Sequence, residues 1–300
     1  MNPPQSRAAT LATLGLISVT AVWGSTFFLI KDLVGRMPAA DFLSVRFLVA
    51  ASSMLVLFHR ALLRLSRREW LQGVGLGAVY GVAQLLQTNG LEHTSASISG
   101  FATGMYVVFT PLLGTVLLRQ RLPSATWIAA LLAVGGLALL ALHGFSLGYG
   151  VWITLASAWL YALHIVGLGA WSRPGHAFAL STVQMLTIAA VCLLATLPHG
   201  PVLPPDGKAW AAVAYMALAA GAGAMLVQTW AQAHMGAARA AIVMTTEPVF
   251  AAGFAVALGG EVLTWRMVAG GLLVLAAMYV VELAPGRGGS GSGEAAHHEV

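Results

Sequence analysis

The chain has 300 residues, of which 58% are hydrophobic and only 8% are charged, whereas about 25% of the residues of a soluble domain are charged. The mean hydropathy of +0.82 excludes a large soluble domain, and the single cysteine, Cys192, excludes a disulfide framework. The formal charge of +5 does not indicate nucleic-acid binding, because the basic residues lie in short loops between apolar stretches, where they orient a membrane protein.

Charges and turn residues divide the chain into ten apolar stretches, each near the length of about 20 residues that crosses a bilayer as a helix. The first stretch resembles a signal peptide, but it is too long and continues into Lys31 without a persuasive cleavage site, so we expect an uncleaved span. Numbered as segments 1 to 10 in chain order, they cover approximately residues 10–31, 39–58, 70–91, 95–118, 125–143, 149–171, 177–197, 209–232, 237–258 and 265–283.

The two halves of the chain contain an internal sequence repeat. Leu85–Leu122 aligns without a gap on Leu226–Leu263, so that Gln87 matches Gln228, and the pairs Thr88/Thr229 and His93/His234 also match. A duplicated membrane unit is typical of secondary transporters. We therefore expect two repeats, at residues 10–143 and 149–283. Each repeat has five segments, and an odd number of spans forces the two repeats to face opposite ways.

The distribution of Lys and Arg predicts the orientation. With the N-terminus inside, nine basic residues fall on the cytoplasmic side and four on the outer side. Residues 1–9 are then a cytoplasmic N-terminus, and the Gly/Ser-rich residues 284–300 are a disordered cytoplasmic tail. The nine are Arg7, Arg60, Arg64, Arg67, Arg68, Arg119, Arg121, Arg173 and Arg287, and the four are Lys31, Arg36, Lys208 and Arg266.

Six passages of the chain carry a family resemblance: AVWGSTFFLIKDLV from Ala21, VRFLVAA around Arg46, HTSASISGFATGMYVVFTPLLGTVLLRQRL, ASAWLYALHIV, STVQMLTIAAV and ARAAIVMTTEPVFAAGFAVALGGEVL. In these passages the chain resembles the EamA-type branch of the drug/metabolite transporter superfamily. The resemblance implies ten helices in two inverted five-helix halves, and export of small metabolites, amino acids or drugs. Amino-acid exporters are one subgroup, and no residue assigns the chain to it. Gln120 stands where many relatives carry an acidic residue, whereas the second repeat has Glu261.

Polar and aromatic residues inside the segments predict a substrate pathway. Tyr80, Gln84 and Gln87 lie at i, i+4 and i+7 and share one helix face. A helix face that carries such polar and aromatic side chains suits the binding of a small ligand with an apolar body and a few polar groups. The alternative, that such residues only hold helices together, stays open. The candidate substrate-binding residues are Trp23, Tyr80, Gln84, Gln87, Tyr106, Trp159, Tyr161, His164, Gln228 and Trp230.

Two charges and two prolines inside the segments add candidates for coupling and movement. Glu247 lies mid-segment, where an unpaired charge costs about 2.5–3.5 kcal/mol, and it is expected to take a proton or a cationic substrate group. Arg46 is the second pathway charge. A structural pairing of Glu247, with Arg46 or a helix end, is the alternative. Pro111 and Pro248 remove a helical hydrogen bond each and are candidate hinges.

The sequence therefore predicts a secondary transporter, an exporter of amino acids or amphipathic drug-like compounds, in the cytoplasmic membrane. No phosphate-binding loop or HExxH motif occurs, so we expect neither ATP-driven transport by this chain nor an enzyme. The alternatives are a membrane enzyme acting on lipid-like substrates and a nucleotide-sugar carrier of the same superfamily. The expected partners are a small-molecule substrate, lipids and a proton as candidate coupling ion, with no cofactor or metal. A monomer is compatible with the sequence.

Overall fold

The computed structural model describes residues 7–118, 124–143, 146–198, 200, 202–235 and 237–283. Nearly all of this part is helical. The rest consists of connecting turns and loops and one antiparallel pair of two-residue strands, β1 (Leu142–His143) and β2 (Ser146–Leu147). The predicted tail at 284–300, Arg119, Arg121 and Gln120 all lie outside the described residues.

Thirteen α-helices follow one another along the described chain. A π-helical stretch, Met216–Gly223, joins α9 to α10, and a 3₁₀ turn, Met244–Thr246, joins α11 to α12. The helices are α1 (Arg7–Val34), α2 (Ala39–Leu62), α3 (Arg67–Glu92), α4 (Ala96–Gly104), α5 (Tyr106–Leu118), α6 (Ser124–Ala141), α7 (Tyr149–Trp171), α8 (Ala177–Leu194), α9 (Gly207–Tyr215), α10 (Ala224–Gln232), α11 (Ala237–Val243), α12 (Glu247–Ala257) and α13 (Trp265–Leu283).

All ten predicted segments are helical, and three of them are interrupted. Segment 4 breaks at Met105, segment 8 contains the π-helical stretch, and segment 9 contains the 3₁₀ turn. Six helical stretches in the described part are long and apolar enough to cross a membrane: Thr10–Val34, Ala39–Leu62, Ala96–Leu117, Tyr149–Trp171, Ala177–Leu194 and Gly207–Gln232. The chain is thus an integral membrane protein whose described part is almost entirely helical, and the crossing of the remaining segments stays a prediction.

Local sequence signals account for where helices begin. α3 starts at a capping box, in which the Ser66 amide donates to Glu69 Oε2 at 2.8 Å and the Glu69 amide donates to Ser66 Oγ at 3.3 Å. The hydrogen bonds from Ser66, together with a contact to His176 before α8, lower the pKa of Glu69 to about 2. Asp206 Oδ1 likewise accepts from the Ala209 amide at the start of α9.

The helices of the two halves interleave. α6 packs against α13, α2 against α8, α3 against α7 and α8, and α1 against α12 and α10. Small residues permit the closest approaches: a Cβ on Gly24 would lie 2.5 Å from the Cβ of Phe250. The core therefore lies between the halves, and a cavity within it is lined by residues of both.

Candidate functional site

A cavity lies between the two halves of the bundle. Eight of the ten candidate binding residues line it, and both candidate pathway charges line it as well. The eight are Trp23, Tyr80, Gln84, Gln87, Tyr106, Tyr161, His164 and Gln228, and the charges are Arg46 and Glu247. Residues far apart in sequence thus form one polar and aromatic wall.

A chain of hydrogen bonds crosses this wall from α3 to α7 and on to α4. Gln84 Nε2 donates to the Tyr161 hydroxyl at 2.7 Å, and that hydroxyl donates to Gln87 Oε1 at 2.8 Å. Gln87 Nε2 then donates to Thr103 Oγ1 at 2.9 Å. The helical spacing that puts Gln84 and Gln87 on one face thus brings both amides to a single tyrosine.

Tyr80 and His164 complete the aromatic side of the cavity. The ring of Tyr80 lies edge-on to Tyr161, with centroids 5.2 Å apart, and to His164 at 4.9 Å. His164 Nε2 lies 2.8 Å from Gln184 Oε1, while the Gln184 amide donates to the Leu180 carbonyl. His164 Nε2 is therefore the donor, and neutral His164 leaves the lone pair of Nδ1 without a partner in the described structure.

Glu247 is buried at the start of α12, with 5% exposure. The Tyr106 hydroxyl donates to Glu247 Oε2 at 3.0 Å and to the Met244 carbonyl at 2.8 Å. The 3₁₀ turn before α12 makes Glu247 the first helical residue, where the helix dipole favours a carboxylate. Pro248 follows in the first turn of α12. Proline is tolerated at this position because a backbone N–H there would have no carbonyl partner within the helix.

Arg46 is buried in α2 with 2% exposure. Its Nε donates to the Met216 carbonyl at 3.3 Å, and its guanidinium lies 4.9 Å from the ring centroid of Phe47. Trp23 Nε1 donates to the Ala220 carbonyl at 2.8 Å. Two cavity residues therefore bond to the π-helical stretch, whose wider turn disturbs the usual backbone hydrogen bonding.

Two candidate binding residues lie away from the cavity. Trp159 is 45% exposed and packs edge-on against Phe109, with centroids 5.5 Å apart. Trp230 packs against His234 at 4.6 Å. Each indole is two positions from a cavity residue, Tyr161 or Gln228, and two helical positions differ by about 200°, so that the indoles point to the opposite side.

The two candidate hinge prolines lie near helix interruptions. Pro111 is inside α5, beyond the break at Met105, and Pro248 directly follows the 3₁₀ turn. Thr110 Oγ1 donates to the Tyr106 carbonyl at 2.7 Å, one turn before Pro111.

A second polar cluster joins the ends of several helices. Lys31 Nζ, in the last turn of α1, donates to the carbonyls of Leu91 at 2.8 Å and Glu92 at 3.0 Å, at the end of α3. Glu261 Oε1 accepts from the Ala96 amide at 2.7 Å, in the first turn of α4. Glu261 therefore caps a helix of the other repeat.

Sequence reasoning missed part of the site. Thr26 lines the cavity three positions after Trp23, and helical spacing from Trp23 was a signal that could have found it. Gln232 was also missed: its Nε2 donates to the Ile165 carbonyl at 3.0 Å, and its Oε1 accepts from Gln228 at 3.3 Å. In the described residues, no group of three or more His, Cys, Asp or Glu is placed to hold a metal ion.

Comparison with known proteins places this arrangement among membrane transporters. A sequence model of the EamA-like transporter family matches residues 10–142 and 148–283. A protein of Archaeoglobus fulgidus described as an uncharacterized transporter is 28% identical over 291 residues, which cover 91% of this chain and 86% of that protein. One crystal structure of a protein with 19% identity superposes with a TM-score of 0.71, covering 91% of this chain and 97% of that one. At this identity the last likeness concerns the fold alone.

Proposed function

The chain belongs to the EamA-like transporter family, and from that premise we propose that it is a secondary transporter that exports small metabolites across the cytoplasmic membrane. Both the family and the relative described as a transporter point to a transporter and not to an enzyme. The observation that supports the proposal most strongly is the cavity between the halves, which contains buried Arg46 and Glu247 without an ion pair between them.

The proposed mechanism is alternating access between two inverted five-helix repeats. Its support is the symmetry of the packing. α1 packs against α12, and its sequence equivalent α7 packs against α5; α3 packs against α7, and the equivalent α10 packs against α1. α2 packs against its own equivalent α8, as does α6 against α13. A pseudo-two-fold axis in the membrane plane would relate these pairings. In the proposed arrangement the chain crosses the membrane ten times, and the distribution of Lys and Arg favours both termini in the cytoplasm.

The proposed substrates are amino acids or amphipathic drug-like compounds. The cavity wall combines aromatic rings with a few amides, hydroxyls and single charges of each sign, which suits a small ligand with an apolar body. Glu247 is the proposed coupling group, because its carboxylate shares the Tyr106 hydroxyl with the Met244 carbonyl and has no cationic partner within 4.0 Å in the described structure. Proton uptake by this carboxylate would couple export to the proton gradient.

Counterflow in proteoliposomes tests the proposal. Vesicles that contain the purified protein and a high concentration of unlabelled solute should accumulate the labelled solute transiently, because a carrier exchanges one molecule for another. A panel of apolar amino acids and organic cations is appropriate, with empty liposomes as the control. If no solute of the panel shows counterflow while the protein is folded and inserted, the proposed function is wrong.

A further inference from the structure

The buried guanidinium of Arg46 has fewer partners than its chemistry requires. Arginine has five N–H donors, and this one makes a single hydrogen bond, 3.3 Å long, to the Met216 carbonyl. Its Nη1 is buried without an acceptor in the described structure. The rings of Phe47 and Phe42 lie 4.9 and 5.9 Å away and offer only cation–π contacts. A buried cation without an anion is costly, so packing alone does not account for this residue.

The opposite charge of the cavity lies apart from Arg46. No described ion pair within 4.0 Å includes either Arg46 or Glu247. Both charges line the same cavity, together with the rings of Tyr80 and Tyr161. The cavity therefore holds two opposite charges that do not pair with each other in the described structure.

Three hydrogen-bond acceptors of the cavity residues also have no partner. They are Gln84 Oε1, Gln228 Oε1 and His164 Nδ1, all buried in the described structure. The remaining atoms of these side chains are engaged: Gln84 donates to Tyr161, Gln228 donates to Gln232, and His164 donates to Gln184. Buried polar atoms are almost always satisfied, so these acceptors indicate a ligand that brings N–H donors.

We propose that Arg46 binds the carboxylate of the transported substrate. The planar guanidinium matches a carboxylate with two parallel hydrogen bonds, and the apolar surroundings strengthen that pairing. The substrate's ammonium group donates to the unpartnered amide and imidazole acceptors. The substrate is then a zwitterion with an apolar body.

This inference rests on the proposed function and narrows it. Of the two substrate classes considered for the cavity, quaternary organic cations have neither a carboxylate for Arg46 nor an N–H donor for the acceptors. Simple amines satisfy the acceptors and leave the guanidinium unpaired. Only a molecule with both groups satisfies both the guanidinium and the unpartnered acceptors.

Four compounds of similar shape separate these requirements. Leucine carries both groups, leucinamide lacks the carboxylate, 4-methylpentanoate lacks the ammonium, and 3-methylbutyl-trimethylammonium has neither a carboxylate nor an N–H. In thermal-shift titrations of the purified protein, leucine should bind about tenfold or more tightly than any of the other three, because each lost charged hydrogen bond costs at least that factor. Equal binding of leucinamide or the quaternary cation overturns the inference, and so does the absence of binding by all four.

Arg46→Gln and Arg46→Lys are the informative variants, and Arg60→Gln, an exposed position on the same helix, is the matched control. Arg46→Gln should lose the preference for leucine over leucinamide without lowering the melting temperature of the ligand-free protein, because it removes an incompletely paired buried charge. Arg46→Lys keeps the charge and should recover only part of that preference. Arg60→Gln should behave as the wild type.

A purely structural Arg46 gives a different pattern. Both Arg46 variants would then melt earlier while the folded protein keeps its preference for leucine over leucinamide, and that result overturns the inference. Counterflow distinguishes this failure from failure of the proposed function: a wild-type protein that exchanges organic cations as well as leucine is a transporter without a carboxylate site.

Discussion

At the residue scale, helical spacing located much of the cavity. Tyr80, Gln84 and Gln87 were predicted to share a face, and the structure brings all three to the cavity. Trp159 and Trp230 were also predicted to bind substrate, and their positions two residues from Tyr161 and Gln228 turn them away. The hydrogen-bond partners of Arg46 and Trp23 were not predictable, because the Met216 and Ala220 carbonyls come from a distant backbone stretch.

Glu247→Gln tests the coupling role of the buried carboxylate. The amide keeps the shape and an acceptor for the Tyr106 hydroxyl but cannot exchange a proton. We expect transport that has lost its dependence on pH, measured as counterflow and as net flux in proteoliposomes over a range of pH. Asp32→Asn is the control, since Asp32 is exposed and paired only with Arg36 in the described structure. Unchanged pH dependence in a folded Glu247→Gln protein would remove the proton role.

At the element scale, the sequence indicated where helices lie but not how they are interrupted. Hydropathy predicted ten segments, and each is helical. The turn before α12 had a signal in Pro248, which favours the first turn of a helix. The π-helical stretch Met216–Gly223 had no comparable signal, because its Gly- and Ala-rich sequence fits an ordinary helix as well. Side-chain donors from other helices bond to carbonyls of this stretch, and the local sequence pattern gives no information on such distant partners.

Gly24 tests the closeness of α1 and α12. A methyl group there would lie 2.5 Å from the Phe250 Cβ and 2.8 Å from the Ala251 amide nitrogen, and backbone atoms cannot move aside cheaply. Gly24→Ala should therefore destabilise the protein by about 1–3 kcal/mol, as overpacking usually does. Thermal unfolding in detergent measures the effect.

Gly253→Ala is the matched control, because it lies in α12 and a Cβ there meets nothing within 4 Å. It should be neutral or stabilising by up to about 1 kcal/mol through helix propensity. If Gly24→Ala proved as stable as Gly253→Ala, the described approach of α1 to α12 would be incorrect.

At the scale of the whole molecule, most of the predicted architecture followed from the internal sequence repeat. The alignment of Gln87 with Gln228 and of Thr88 with Thr229 indicated duplication, and the odd number of segments in each repeat indicated inversion. Which helices would pair between the halves could not be inferred, because the packing depends on small residues such as Gly24 whose contacts lie far away in sequence. The family match agrees with the predicted resemblance.

Labelling of single cysteines tests the inverted arrangement. Ala61, near the end of α2, and Gly207, at the start of α9, occupy the basic loop of the first repeat and its equivalent in the second. In a Cys192→Ser background, we expect a membrane-impermeant maleimide to modify Ala61→Cys only from the cytoplasmic side and Gly207→Cys only from the outer side. Modification of both from one side would refute the inversion.

In the proposed mechanism one cavity opens in turn to each side of the membrane, and the reactivity of a cysteine inside the cavity reports this opening. Thr26 lines the cavity, so Thr26→Cys in the Cys192→Ser background reports access to it. In inside-out and in right-side-out vesicles, a small membrane-impermeant maleimide should modify Thr26→Cys from either side, and a transported solute should slow both reactions. Modification from one side only, with and without solute, would contradict alternating access.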